Sequence, residues 1–226
     1  MDDRTRTLAG WCGLTWAALT TAAAFSGGAA PALDAPADEI TTYLHDHRGV
    51  FLATVVVFAL TLPMLLVFAG ALIGRLRDGT DKGNTAALLA GAGLGVSLAC
   101  SAVANALLVP VLQQDLGVDP ETVKFLYAGV FAVTIAGNAA AAAMMFGFAA
   151  AGANAGLGTV VTRSAAAIGV IVLVLSAAGL ADESMGALAP VGLLPFVVWI
   201  VAVSIGMIRR PSAVPAVAAA VATVGA

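Results

Sequence analysis

Apolar residues along this chain fall into long runs that contain no Asp, Glu, Lys or Arg. A helix that crosses a hydrocarbon core about 30 Å thick needs roughly 20 such residues. Bounded by Gly, Pro and Asn breaks, the runs predict six membrane-spanning helices, near 8–27, 50–74, 85–112, 124–150, 163–181 and 189–208. The predicted fold class is therefore all-α, a polytopic transmembrane helix bundle that forms a single domain over 1–226.

Two of these runs allow another interpretation. The uncharged stretch from Phe125 to Thr162 is long enough for two helices, but Gly and Asn interrupt its second half, which favours one helix followed by a loop. The first run is also compatible with a cleaved signal peptide, because Ala30-Pro31-Ala32 resembles a cleavage site. Its length exceeds that of a typical signal-peptide core, which favours a retained helix.

The polar segment 28–49 between the first two spans carries an amphipathic pattern. Its larger side chains recur at the helical spacing i, i+3, i+4, i+7, at Ile40, Tyr43, Leu44 and His47. This spacing predicts a short helix that lies on the outer membrane face, with Tyr43 at the interface.

Lys and Arg are distributed unequally between the two sides of the predicted bundle. Six spans place eight basic residues on one side: Arg4, Arg6, Arg75, Arg77, Lys82, Arg163, Arg209 and Arg210. The other side holds only Arg48 and Lys124. Because basic loops stay in the cytoplasm, both termini are predicted to be cytoplasmic. The tail 211–226 is too short to span and is predicted to remain on that side.

Composition supports a membrane environment. The chain is 61% hydrophobic and 10% charged, against roughly 25% charged in a soluble domain. We therefore expect a multi-pass protein of the bacterial plasma membrane, whose partners are the lipid bilayer and a membrane protein or a second copy of the chain. The formal net charge of −3 and this class exclude nucleic acid as a partner.

Small residues predict thin, closely packed helices. Three GxxxG pairs of the kind found at close helix contacts occur at Gly70/Gly74, Gly91/Gly95 and Gly152/Gly156, although 25 glycines also produce such pairs by chance. Cys12 and Cys100 both fall inside apolar runs, so no disulfide framework is predicted.

Five polar residues lie inside the third and fourth spans. One face of the third span carries Ser97, Ser101 and Asn105, and one face of the fourth carries Thr134 and Asn138. An antiparallel pairing of these spans is expected to bring Ser101 to Asn138 and Asn105 to Thr134. Two interpretations stay open: hydrogen bonds for packing, contributing roughly 0.6–2 kcal/mol each, or the lining of a substrate or water pathway.

The chemistry available to the chain is sparse. All charged residues lie outside the predicted spans or at their ends, which disfavours ion-coupled carriers, proton pumps and voltage sensors. His45, Asp46 and His47 form the one group on the outer face that resembles a metal site, but residues two apart on a helix point about 200° away from each other. No metal or cofactor is therefore predicted, and no phosphate-binding or nucleophile motif identifies a catalytic residue.

The order of these features resembles a known architecture. The features are an N-terminal span, an outer segment ending in Tyr43-Leu44-His45-Asp46-His47-Arg48-Gly49, a second span closing on Arg75-Leu76-Arg77, and a fifth span after Arg163. Together they are similar to a group of six-span bacterial membrane proteins of the actinobacterial type. The function of that group is not established, so the resemblance implies the architecture and transfers no site residues.

The leading functional expectation is a non-enzymatic plasma-membrane protein that binds a partner protein or a small apolar ligand within its helix bundle. A facilitative small-molecule permease or channel is the first alternative, with the five polar residues as its pathway. The second is an outer-face lipid-modifying enzyme that uses His45, Asp46 and His47, or Asp182 and Glu183.

Overall fold

A computed structural model of the protein describes residues 2–28, 30–77, 81–113, 117–153, 157–181 and 189–209. Within these ranges the chain forms helices and no strand, and the helices are α1 (Asp3–Ser26), α2 (Ala37–Asp46), α3 (Arg48–Arg77), α4 (Asp81–Leu112), α5 (Pro120–Ala151), α6 (Thr159–Ala181) and α7 (Ala189–Arg209). The predicted all-α class is confirmed, and a helix occupies each of the six predicted segments. The tail 211–226 lies outside the described residues.

Two further predictions about the helices agree with the structure. Between 125 and 162 the chain forms one helix, α5, and leaves it at Gly152 before α6 begins at Thr159, so the prediction of one helix and a break is confirmed. The short amphipathic helix is confirmed as α2, which begins after Pro36 and buries Ile40 and Leu44.

Five helices, α1, α3, α4, α5 and α6, are long and apolar enough to cross a membrane. The described apolar part of α7, Leu194–Arg209, is shorter. Large apolar side chains also cover the outside of the bundle, among them Val56, Leu60, Leu88, Val160 and Val198. Soluble proteins rarely expose contiguous apolar surface on this scale, so this surface indicates a multi-pass membrane protein.

The six long helices pack as a ring. Helix α1 contacts α3 and α7, α3 contacts α4, α4 contacts α5, α5 contacts α6, and α6 closes the ring on α7. Helix α2 lies at one end of this ring, against α3, α4 and α5. We call the end of the ring that α2 covers the α2 end, and the other end of the ring the opposite end.

The half of the ring at the opposite end is filled by a continuous apolar core. Its largest buried side chains include Phe68 of α3, Met145 and Phe148 of α5, and Trp199 of α7. The rings of Phe148 and Trp199 lie 5.2 Å apart, and Trp199 donates its Nε1–H to the carbonyl of Val161 over 3.0 Å. A buried indole usually finds such an acceptor. This half is therefore held by interlocked aromatic and aliphatic side chains.

Helices α4 and α5 approach most closely at glycines outside the GxxxG pairs. A Cβ added at Gly93 would lie 2.6 Å from the carbonyl oxygen of Ala140, and one at Gly147 would lie 2.7 Å from that of Ala86. By contrast, a Cβ at Gly70, Gly74 or Gly95 would meet nothing within 4 Å. The GxxxG spacing therefore does not mark the contacts, because most of these glycines face away from neighbouring helices.

Candidate functional site: a cavity beneath α2

Helix α2 covers the α2 end of the ring through a second, smaller apolar cluster. Ile40 and Leu44 are completely or almost completely buried there, against Val111 of α4 and Val123 and Tyr127 of α5. Burying aliphatic side chains of this size contributes about 1.5–3 kcal/mol each. The amphipathic pattern of α2 is thus explained by packing against the bundle.

Two tyrosines tie the segment between α1 and α2 to the bundle. Tyr43 of α2 donates its hydroxyl to the carbonyl of Gly27 over 3.0 Å, and Tyr127 of α5 donates to that of Pro31 over 2.9 Å. Burial raises the pKa of the Tyr43 hydroxyl, which keeps it protonated and able to donate at neutral pH. The two side chains therefore hold the connection in place over the centre of the ring.

The two basic side chains at the α2 end, Arg48 and Lys124, also donate hydrogen bonds to backbone carbonyls. Arg48 donates its Nε–H to the carbonyl of Leu112 over 2.6 Å, and Lys124 donates to the carbonyl of Ala35 over 2.9 Å. Leu112 is the last residue of α4, where carbonyls lack a partner within the helix. Positive charge is also favoured at a helix C-terminus.

Beneath the tyrosines lies a cavity of about 440 Å³. It is bounded by the C-terminal end of α1, the first turns of α3, the C-terminal half of α4 and residues 127–138 of α5. Small-molecule sites commonly have volumes of about 300–1,000 Å³ and mostly apolar walls. The cavity falls within this volume range, and its wall is mostly apolar, with large side chains from Val50, Phe51, Leu108, Val130 and Phe131.

Three of the five predicted polar residues, Ser101, Thr134 and Asn138, line this cavity. Ser101 lies 11 residues before the end of α4, which places it about 16 Å from the α2 end at 1.5 Å per residue. Ser97 and Asn105 are not part of the wall. The structure thus brings three of the residues together at the deep end of one cavity and leaves two outside it.

The hydrogen bonds expected between α4 and α5 differ from those observed. Three of the side chains donate over 2.7–2.9 Å to a carbonyl of their own helix: Ser101 to Ser97, Asn105 to Ser101, and Thr134 to Val130. Within the described part of the chain, neither Ser101–Asn138 nor Asn105–Thr134 forms a bond. The physical reason is local, because a short polar side chain reaches the carbonyl one turn earlier without needing a second helix.

The side chains of Ser97 and Asn138 make no hydrogen bond to a described residue, and of these two only Asn138 lines the cavity. An asparagine amide offers two donors and one acceptor oxygen. The deep end of the cavity therefore presents a free amide beside two hydroxyls.

Sequence reasoning missed several wall residues, namely Thr54, Tyr127 and Phe131. Those of α5 continue the face of the two predicted polar residues, because Tyr127, Phe131, Thr134 and Asn138 follow the spacing i, i+4, i+7, i+11. That aromatic continuation is the signal that would have identified them. Thr54, which donates to the carbonyl of Val50, carries no comparable signal.

The structure brings part of the histidine-containing outer site together: Asp46 and His47 line one surface pocket of about 580 Å³, and His45 is not among its lining residues. His47 turns toward Tyr43, with Nδ1 2.9 Å from its carbonyl and the rings 4.5 Å apart. His45 and Asp46 are exposed instead. No group of three His, Cys, Asp or Glu able to hold a metal occurs among the described residues. Asp182 and Glu183 lie outside the described residues.

Comparisons of the chain with models of protein families, with curated proteins and with solved structures found no match. The resemblance to the six-span bacterial group therefore stays a prediction. Function is inferred below from the cavity and its chemistry.

Proposed function

We propose that this protein is a non-enzymatic plasma-membrane protein of bacteria that binds a small, mostly apolar ligand in the cavity beneath α2. The observation that supports this most directly is the cavity itself, about 440 Å³ with a mainly apolar wall. A space of this volume, bounded by four helices and walled mainly by apolar side chains, has the character of a small-molecule site.

The proposal places the cavity in the outer half of the membrane. Six helices, α1 and α3 to α7, cross the bilayer with both termini in the cytoplasm, and α2 lies on the outer face. The distribution of Lys and Arg supports this orientation. Retention of α1 is supported by its packing, because Ala9, Trp16 and Ala17 belong to the core around Phe68.

The permease or channel alternative has weaker support. A pathway would have to continue from Ser101 and Asn138 to the opposite end, and that half is occupied by the buried side chains of Leu94, Met145 and Phe68. Transport would require these helices to separate. A binding site that is closed at its deep end needs no such movement.

The enzyme alternative also has weaker support. Catalysis by the outer-face residues requires their side chains to converge on one site. Asp46 and His47 line a shared pocket, but His45 does not, and the His47 ring contacts Tyr43.

A matched pair of substitutions on α1 tests the proposal. Ala23 lines the cavity, while Ala22 beside it is exposed on the outside of the ring. We expect Ala23→Phe to fill part of the cavity and Ala22→Phe to leave it open. Protein purified from native membranes in mild detergent would be extracted with organic solvent, and bound small molecules would be quantified by mass spectrometry.

The expected result is one small molecule recovered at close to one per chain from the wild type and from Ala22→Phe, and strongly reduced in Ala23→Phe. Thermal unfolding of all three proteins shows whether they are equally folded. Recovery of the same molecules in the same amounts from both variants would contradict the proposal.

A further inference from the structure

The wall of the cavity carries no charge. None of its lining residues is Asp, Glu, Lys, Arg or His. A charged ligand would lose its hydration on entry without gaining an ionic partner, which is strongly unfavourable. The tyrosine hydroxyls at the top already donate to backbone carbonyls. The occupant is therefore uncharged.

The deep end of the cavity nevertheless contains polar side-chain atoms that a polar group of the ligand could pair with. The hydroxyls of Ser101 and Thr134 each donate a hydrogen bond to a backbone carbonyl of their own helix, so only their oxygens remain available, as acceptors. Asn138 has both its donors and its acceptor oxygen unused within the described chain. A purely apolar ligand would leave this amide unpaired in an apolar site, and unpaired polar groups are costly to bury.

From this geometry we infer the ligand class: an uncharged amphiphile whose hydroxyl or carbonyl group hydrogen-bonds to Asn138 and whose apolar body packs along Phe51, Leu108 and Phe131. The inference rests on the proposed function, since it specifies what the same cavity binds. Asn138 is the residue that determines specificity. The ligand enters with its polar group first, because the amide lies at the deep end.

The predicted orientation is the reverse of that of a bilayer lipid. A membrane lipid keeps its polar group at the interface and its chains at the centre, whereas Asn138 lies 11 residues, or about 16 Å, beyond Tyr127. Small residues on the rim, the exposed Gly28 and Ala30, leave room at the α2 end for such entry.

Competition binding with matched probes tests the ligand class. The full chain in detergent binds tritiated 1-decanol, and unlabelled 1-decanol, decane and decanoate compete at neutral pH. These probes share a linear chain and differ in the end group. We expect 1-decanol to displace the label at a concentration about tenfold lower than decane, which corresponds to one exchanged hydrogen bond. Decanoate is expected to compete least.

Two variants separate the role of Asn138 from general packing. Asn138→Leu keeps the number and branching of the side-chain heavy atoms and removes the amide, and we expect it to bind 1-decanol about tenfold more weakly and to lose the preference over decane. Asn105→Leu is the matched control, because Asn105 lies on the same helix pair outside the cavity wall. It is expected to behave as the wild type.

The outcomes are distinguishable. If decane or decanoate competes as well as 1-decanol with the wild type, the ligand class is wrong, while cavity binding stands as long as Ala23→Phe blocks the label. If Ala23→Phe binds the label as the wild type does, the proposed function fails and the inference fails with it. Should Asn138→Leu not fold, the wild-type competition series alone decides the ligand class.

Discussion

At the α2 end, the side chain of Arg48 links the start of α3 to the end of α4. Arg48 is the first residue of α3, and its guanidinium reaches the last residue of α4, whose carbonyl has no partner within its own helix. Its position also explains why a basic residue persists on the side predicted to be poor in them. The guanidinium pairs with a carbonyl at the C-terminus of α4 and so connects α3 to α4.

We predict that Arg48→Met lowers the stability of the protein by about 1.5–3 kcal/mol, the usual range for a hydrogen bond from a charged group. Methionine retains most of the apolar stem but cannot donate to Leu112. Thermal and denaturant unfolding in detergent, followed by tryptophan fluorescence, measures the change. Arg77→Met is the matched control, since Arg77 is exposed and makes no hydrogen bond to a described residue. An equal loss in both variants would contradict this role.

At the scale of the helices, the contact between α4 and α5 depends on residues without side chains. These two helices lie in direct contact along most of their length, and the approach depends on Gly93, Gly137 and Gly147. Nearer the α2 end, Leu108 of α4 and Val130 and Phe131 of α5 line the cavity. The closest backbone approach of the two helices therefore lies where Gly93, Gly137 and Gly147 face the partner helix.

We predict that Gly93→Ala destabilises the protein by about 1–3 kcal/mol, because its Cβ would overlap backbone atoms of Ala140 and Met144, which cannot move independently of α5. Gly95→Ala, two residues away, meets nothing within 4 Å. It is expected to be neutral or to stabilise by up to about 1 kcal/mol through helix propensity. Unfolding midpoints in detergent test both variants. Similar effects of the two substitutions would show that Gly93 is not at a close contact.

At the scale of the whole molecule, the ring arrangement separates a packed half from a half that holds the cavity. The core around Phe68 and Trp199 lies at the opposite end, and the smaller cluster around Ile40 and Leu44 closes the α2 end. The cavity wall and the packed core share no residue. The orientation of the ring in the membrane then decides from which side a ligand arrives.

Cysteine labelling tests the proposed orientation. In a background with Cys12→Ala and Cys100→Ala, single substitutions Asp38→Cys on α2 and Arg163→Cys on α6 both lie at exposed positions. In intact spheroplasts, a membrane-impermeant maleimide is expected to label the first and spare the second until the membrane is permeabilised. Labelling with the opposite pattern would invert the topology and place the cavity in the inner half.

The amino-acid sequence by itself determined the helices. Runs of apolar residues long enough to cross a bilayer, the glycine break after α5 and the amphipathic spacing of α2 are local properties, so each could be predicted. It also identified Ser101, Thr134 and Asn138 as candidates, because polar residues inside apolar helices require partners.

Only the tertiary structure decided which way each helix faces. The long helices are apolar on all sides, so no apolar stripe distinguishes the buried face from the face toward lipid. For that reason the sequence could not show that Gly93 rather than Gly95 contacts α5, or that Asn138 lines a cavity without a hydrogen bond to Ser101. The cavity is lined by residues far apart in the chain, from Ala23 to Asn138, and the pattern within any one helix does not contain it.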